Sequence, residues 1–178
     1  MDSQNSDQNR INDLITKLDN DDGFVREDAR SVLIGIGKEA IPSLTIALKS
    51  KNQRIRWEVA KALGAIADPA AIPNLIEALQ DEVFDIRWLA AEALITTGRE
   101  SIEPLLQAII NKSNESFLRE GAHHVITYIM PSVPITDALT EILKPLKSAL
   151  DRGAPRVMGT SAAEVALAKL KQLKKKQT

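Results

Sequence analysis

Apolar residues recur at helical spacing along most of the chain, in pairs of short runs. In residues 53–80 two such runs predict two amphipathic helices. The first run is Ile55, Val59, Ala62, Leu63 and Ile66, and the second is Ile72, Leu75, Ala78 and Leu79. Between them Asp68 and Pro69 are typical of an N-cap followed by a first-turn proline. Each helix is too short to be stable alone, so we expect these helices to pack on neighbours.

The same two-helix pattern repeats. An arginine near the start of each first helix recurs at steps of 30, 31 and 32 residues, and a core position seven residues later follows the same steps. The arginines are Arg26, Arg56, Arg87 and Arg119, and the core positions are Leu33, Leu63, Leu94 and Ile126. Repetition of this kind predicts an all-α, right-handed α-solenoid of about four two-helix repeats with capping helices.

The repeat also predicts the boundaries. We expect a disordered N-terminus over 1–8, a single solenoid over 9–174 and a basic tail over 175–178. The units are approximately 9–20 (a half-repeat), 23–50, 53–80, 83–112, 114–151 and 155–174 (a terminal helix). Pro131 and Pro134 are expected in the turn of the fourth unit, and Pro145 should kink or split the helix after that turn.

Composition narrows the functional classes. Aromatic residues make up 3% of the chain, so the predicted core is aliphatic. The formal net charge of -1 disfavours a nucleic-acid-binding domain. The absence of cysteine excludes disulfides and thiolate chemistry. The N-terminus has no apolar signal region, and no apolar run is long enough to span a membrane, so we expect a cytoplasmic protein without a membrane contact.

Two segments, IRWEVAKALGAIADPAAIPNLIEAL and IRWLAAEALITTGRESIEPLLQAI, resemble HEAT-like repeats of the phycobilin lyase type. The resemblance covers residues 11–130 well and the remainder loosely. It implies a structural role for the repeated arginines, which in such repeats tie a helix to a neighbouring turn, often through an aspartate. Asp81, which precedes Arg87, fits that pattern. Asn20 and Ser50 stand at the equivalent place, which predicts weaker ties for Arg26 and Arg56.

The non-core positions of the second helices form the candidate binding surface. Core residue types stay constant between copies while these positions vary, as expected where a surface faces solvent or a partner. We name this set the inner grid and expect it on the concave face. It consists of Ser43, Ile46 and Lys49, then Asn74, Glu77 and Gln80, then Pro104, Gln107 and Ile110.

Trp57 and Trp88 occupy equivalent positions in adjacent repeats, away from the predicted core stripe. Tryptophan is enriched at binding hot spots, so the two side chains are candidates for partner contact. The alternative is that each covers small neighbouring residues and seals the junction between repeats.

Candidate catalytic and metal-binding chemistry is sparse. His123 and His124 are the only histidines, and adjacent helical residues diverge too far to bind one metal ion together. The carboxylates at 19, 21 and 22 lack the spacing of a calcium loop. The basic cluster near the C-terminus suits a solvated helix end. It consists of Lys169, Lys171, Lys174, Lys175 and Lys176. We therefore expect no catalytic residue, no metal and no cofactor.

The leading functional hypothesis is a non-enzymatic scaffold or adaptor that binds a protein partner on the inner grid. The resemblance implies a different class, a bilin lyase-like or chaperone factor for chromophore attachment to phycobiliproteins. If the chain were an enzyme, it would then be a phycobilin lyase-type subunit. Nucleic-acid binding through the C-terminal lysines is a third hypothesis, which the near-neutral charge disfavours.

Overall fold

The computed structural model describes residues 2–112, 115–132, 137–151 and 154–177, and all regular structure in these ranges is helical. The chain forms two compact units, Met1–Thr96 and Thr97–Thr178. The predicted all-α fold is confirmed. A single solenoid over 9–174 stays a prediction, as does its right-handed sense.

Unit 1 contains alternating first and second helices. They are α1 (Asp2–Lys17), α2 (Gly23–Ile36), α3 (Ile41–Ala47), α4 (Gln53–Ile66), α5 (Ile72–Ala78) and α6 (Phe84–Thr97), which runs to the unit boundary. Short 3₁₀ turns, Gly37–Ala40 and Pro69–Ala71, lead into α3 and α5. Helix α1 begins at Asp2, whereas the sequence predicts disorder over 1–8. Ile11 and Leu14 on α1 and Leu18 just after it are buried, and they anchor α1 to the unit.

Side-chain caps determine where these helices begin. Asp22, Asn52 and Asp68 each accept a 2.9 Å hydrogen bond from the backbone N–H two residues later. That bond from Ala70, together with an ion pair to Lys38 at 3.3 Å, lowers the pKa of Asp68. The predicted N-cap at Asp68 is therefore observed, and it fixes the turn between α4 and α5.

The first helices α2, α4 and α6 end on residues with positive φ. Gly37 has φ +72° and Gly98, at the equivalent place, has φ +77°. The intervening copy has an alanine, Ala67, in the left-handed region with φ 53° and ψ 34°. An L-residue pays a steric cost in this conformation that glycine does not, so the central repeat ends its first helix under strain.

The seams between helices of unit 1 are aliphatic, as predicted. Leu33, Leu44, Leu63 and Leu75 are all at most 1% exposed. Some residues at the ends of the predicted stripes are half-buried rather than fully buried, because they lie in the first or last turn of their helix. These are Val25, Ile36, Ile55 and Ile66.

Unit 2 begins with a 3₁₀ turn, Gly98–Ser101, followed by α7 (Ile102–Asn111), α8 (Ser116–Ser132), α9 (Asp137–Leu150) and α10 (Arg156–Gln177). Helix α10 packs against α7 and α9, and it continues to Gln177, through most of the segment predicted as a tail. Its packing makes α10 part of the helical unit rather than an isolated terminal segment.

Two expectations about proline need correction. Pro131 lies in the last turn of α8, not in the following turn, and Pro134 lies outside the described residues. Pro145 lies inside α9, which continues as one helix, so the proline does not split it, and a kink there stays a prediction. Leu143 and Leu146, on either side of this proline, are fully buried, and their packing offsets the lost backbone hydrogen bond.

Candidate functional site

In unit 1 the inner grid is exposed mainly at three positions. Ile46 on α3 is 75% exposed. Lys49, just after α3, has its Nζ 2.7 Å from Oε2 of Glu77 on α5, and both side chains are more than half exposed. The structure thus brings an apolar side chain and a charged pair to adjacent second helices. Asn74 and Gln80 are half-buried and contribute less surface.

Ser43 does not belong to the exposed surface. It is 9% exposed, and its Oγ accepts a 2.7 Å hydrogen bond from Nε2 of Gln8 on α1. Because α1 begins earlier than predicted and packs against α3, it covers this position. The placement of Ser43 on a solvent-facing grid is therefore wrong.

The grid positions of unit 2 lie on α7. Gln107 is exposed, and its Nε2 donates to Oδ1 of Asn111 at 3.2 Å. Pro104 and Ile110 are half-buried. These residues present less apolar surface than Ile46 does, so the strongest candidate contact is in unit 1.

Each repeated arginine of unit 1 binds the backbone of the turn before its helix. Nη1 of each donates to two carbonyl oxygens of the preceding turn. The acceptors are Asn20 and Asp21 for Arg26 (2.6 and 2.9 Å), Ser50 and Lys51 for Arg56 (2.9 and 3.3 Å), and Asp81 and Glu82 for Arg87 (2.8 and 3.2 Å). Because the acceptors are backbone carbonyl oxygens, the side chains at positions 20 and 50 do not affect these hydrogen bonds. The weaker contacts expected for Arg26 and Arg56 are therefore not observed.

The Asp81 carboxylate has a different partner from the one expected. It accepts two hydrogen bonds from Arg56 of the preceding repeat, Nε at 2.7 Å and Nη2 at 3.1 Å, and a third from the backbone N–H of Val83 at 2.9 Å. The hydrogen bond to Asp81 raises the pKa of Arg56, so the guanidinium stays charged. This bidentate pair joins one repeat to the next.

A buried carboxylate was not foreseen. Glu58 on α4 is 2% exposed, and its oxygens bind Arg26 at 3.2 Å and Arg30. The equivalent residues in the neighbouring copies are Asp28 and Leu89, so the repeat pattern does not predict this ion pair.

In unit 2, the repeated arginine also binds backbone: Nη2 of Arg119 donates to the carbonyls of Ala149 and Ala154 at 3.2 and 3.3 Å. A structural role for all four repeated arginines remains our interpretation of these contacts.

The two tryptophans lie on α4 and α6. These helices approach closely, because a Cβ added to Gly64 would lie 3.2 Å from Cβ of Ala93. Trp57 is half-buried beneath Lys61, whose Nζ is 4.2 Å from the ring centroid. Trp88 is 46% exposed, with the Phe84 ring 6.3 Å away. We call Trp57, Phe84 and Trp88 the aromatic ridge.

The two histidines and Lys174 make contacts within unit 2. Nε2 of His123 lies 2.8 Å from Oδ1 of Asp151, and the His124 ring lies against the Tyr128 ring with 4.6 Å between centroids and 45° between the ring planes. Lys174 of the basic cluster pairs with Glu103. Within the described ranges no three His, Cys, Asp or Glu side chains come close enough to hold a metal ion. No described helix is both long and apolar enough to cross a membrane.

Comparison with known proteins supports the repeat interpretation. Residues 11–95 match the family model of HEAT repeats. The chain is similar to a chain of the CpcE–CpcF complex of phycocyanin lyase from Nostoc sp. PCC7120, with 25% identity and a TM-score of 0.57 over 88% of this chain and 96% of that one. A crystal structure of an engineered protein matches at 22% identity, 91% and 79% coverage, and a TM-score of 0.42, too low to support an argument. Comparison with curated proteins finds no match.

Proposed function

The chain is a HEAT-like repeat protein with an all-α solenoid fold, and from that premise we propose that it is a non-enzymatic scaffold that binds a protein partner. The supporting observation is Ile46, a β-branched apolar side chain that is 75% exposed on α3. The partner surface in this proposal is the exposed part of the inner grid in unit 1, namely Ile46, Lys49 and Glu77.

Ile46 contributes little to the packing of its own helix. The other apolar residues of α3 and its C-cap are buried, at 9% exposure or less. They are Ile41, Leu44, Ala47 and Leu48. An apolar side chain beside the Lys49–Glu77 pair has the arrangement of a small interface, with an apolar centre and a charged rim. Ile46 is therefore the anchor that we expect a partner to cover.

A pull-down from native lysate tests this proposal with variants that leave the fold intact. Ile46→Asp places a charge on the anchor, and the exchange Lys49→Glu with Glu77→Lys keeps the intrachain ion pair but reverses its direction. Both should lose a partner that the wild type captures. Phe24→Ala removes an equally exposed side chain, 83% accessible on α2, and should retain that partner. Equal capture by all variants would contradict the role of the grid.

A second candidate function is a lyase-like or chaperone factor for attaching bilins to phycobiliproteins. The observation that favours it is the likeness to the phycocyanin lyase complex, which extends over nearly the whole of both chains. Mixing the purified protein with a bilin and recording the visible spectrum tests it. A shift in bilin absorbance would support binding, and an unchanged spectrum would remove this candidate. A cytoplasmic location belongs to both proposals.

A further inference from the structure

The outer faces of α4 and α6 carry the same aromatic residue and opposite charges at matching positions. A step of 31 residues relates the two copies, and at each charged position of the outer face the sign reverses. The matched pairs on the helices are Arg54 with Asp85 and Lys61 with Glu92, and between them Trp57 matches Trp88. Lys51 and Glu82 form a third matched pair in the turns just before the two helices. The outer face is therefore basic along α4 and acidic along α6.

The helical members of these pairs share one face of each helix. Positions 54, 57 and 61, like 85, 88 and 92, follow the i, i+3, i+7 spacing of a single helical stripe. Lys51, Glu82, Asp85 and Trp88 are exposed, and the others are half-buried. The close approach of Gly64 to Ala93 places the two stripes side by side. We call this surface the charge-reversed face.

The aromatic residues of the chain point to the outer helices as well. The chain has three Phe, two Trp and one Tyr, and none of these six side chains is buried. They lie on α2, α4, α6 and α8, that is, on first helices only. In unit 1, Phe84 is 59% and Trp88 46% exposed while the seams are filled by Leu, Ile and Ala. Large rings exposed beside a complete aliphatic core are typical of an interaction surface.

A two-fold axis parallel to the helices makes this face complementary to itself. Such an axis places α4 of one copy against α6 of the other at the same height along the helices. Each basic residue of α4 then meets its matched carboxylate, and Trp57 meets Trp88 across the interface. Because the interface is isologous, every pair occurs twice. An axis perpendicular to the helices would instead place α4 against α4 and oppose like charges.

We propose that two copies of the chain associate through the charge-reversed face about this two-fold axis. The intrachain contacts of the face permit the exchange. Arg54 lies 2.9 Å from Asp21, and the two side chains are 42% and 99% exposed. Nη1 of Arg54 also donates to the carbonyls of Asp19 and Asn20 at 3.0 and 3.3 Å, which leaves its other guanidinium nitrogens for a second chain. Glu82, 3.2 Å from Arg56, is 83% exposed. Ion pairs exposed to this degree contribute little. A face of only two short helices lies at the small end of protein interfaces, so we expect a weak dimer. The dimer does not use Ile46, so it is independent of the proposed partner binding.

Sedimentation velocity on the full chain at low salt tests the proposal over concentrations from about 1 to about 200 µM, the range suited to a small interface. The wild type should convert from monomer to dimer and stop there, and high salt should favour the monomer. Arg54→Asp and Asp85→Arg should each weaken the homodimer by at least about tenfold, because each creates two like-charge contacts.

Two combinations should restore association. The double variant with Arg54→Asp and Asp85→Arg is again self-complementary. An equimolar mixture of the two single variants should form a heterodimer, because one chain then has a carboxylate at both positions and the other an arginine at both. Lys61→Glu and Glu92→Lys repeat this design without disturbing Arg54. Melting curves show that each variant is folded, so a loss of association is not a loss of structure.

Trp88→Ala should weaken the dimer, whereas Phe24→Ala on α2 should leave it unchanged. A wild type that stays monomeric throughout the concentration range would overturn the proposal. So would association that continues beyond the dimer, or a mixture of the two single variants that associates no better than either variant alone.

Discussion

The seams and the outer face of the same two helices, α4 and α6, follow opposite rules. At the seam, matched positions keep their residues: Leu63 and Leu94 are both leucine, and both are buried to about 1% or less. Two positions earlier along each helix, on the outer face, Lys61 and Glu92 have opposite charges. Stacking requires side chains of the same shape at the seam of every copy. Residues on the outer face do not take part in stacking, so their charges can differ between copies. The varying positions are thus where a repeat protein encodes its contacts.

Truncation of a seam residue tests the comparison most severely. Leu63→Ala removes a side chain that is 1% exposed and leaves a cavity between repeats, so we expect a loss of about 2–5 kcal/mol in the free energy of unfolding. Ile46→Ala, at a position 75% exposed, should change it by less than about 0.5 kcal/mol. Denaturant unfolding of both variants measures the difference. Equal losses of stability would contradict the assignment of Leu63 to the seam and of Ile46 to the surface.

Arg56 and Arg54 allow a second comparison between a buried and an exposed side chain of α4. Arg56→Ala removes a guanidinium that is 8% exposed and leaves the Asp81 carboxylate, 9% exposed, without it. We expect a loss of about 3 kcal/mol, because an unpaired buried charge is costly. Arg54→Ala breaks exposed ion pairs with Asp19 and Asp21 and exposed hydrogen bonds to the carbonyls of Asp19 and Asn20. Because water can replace these contacts, the loss should be about 0–1 kcal/mol. Thermal melting compares the two, and a similar cost for both would rule out the Arg56–Asp81 pair as the stronger link.

The strained end of α4 offers a substitution that should stabilise. Ala67→Gly relieves the left-handed backbone at φ 53°, and after the entropic cost of glycine we expect a gain of about 0.5–1 kcal/mol. The reverse change at the equivalent position, Gly98→Ala, places a side chain at φ +77° and should lower stability by a similar amount. Opposite shifts in melting temperature would confirm that the first helices share one mode of termination. A loss of stability in Ala67→Gly would contradict it.

The smallest effect on stability is expected at the aromatic ridge. Trp88 is 46% exposed, so Trp88→Ala should change the free energy of unfolding of the monomer by no more than about 1 kcal/mol. At dilution, where the chain is monomeric, urea unfolding measures this value. A loss as large as that of Leu63→Ala would assign Trp88 to the junction between repeats, the alternative interpretation of the two tryptophans.

Much of the helical architecture follows from local pattern. The helical spacing of Leu33, Leu63 and Leu94 and the cap at Asp68 depend on neighbouring residues in the chain, and the structure agrees with them. The candidate surface was predicted less well. Ser43 is covered by α1, whose start lies in a polar segment without the apolar spacing of a helix. Glu58 occupies a position where the other copies have Asp28 and Leu89, so repetition could not reveal that it is buried.

The spacing of residues along the chain is enough to predict the repeat, the helices, the aliphatic seams and the reversal of charge between matched positions. Tertiary structure decided which partner each charged group has. The resemblance pairs Asp81 with Arg87, yet the Asp81 carboxylate binds Arg56, 25 residues earlier, because stacking brings that guanidinium to the turn. Contacts between repeats depend on the distance between elements in space, and a one-dimensional pattern records only the period.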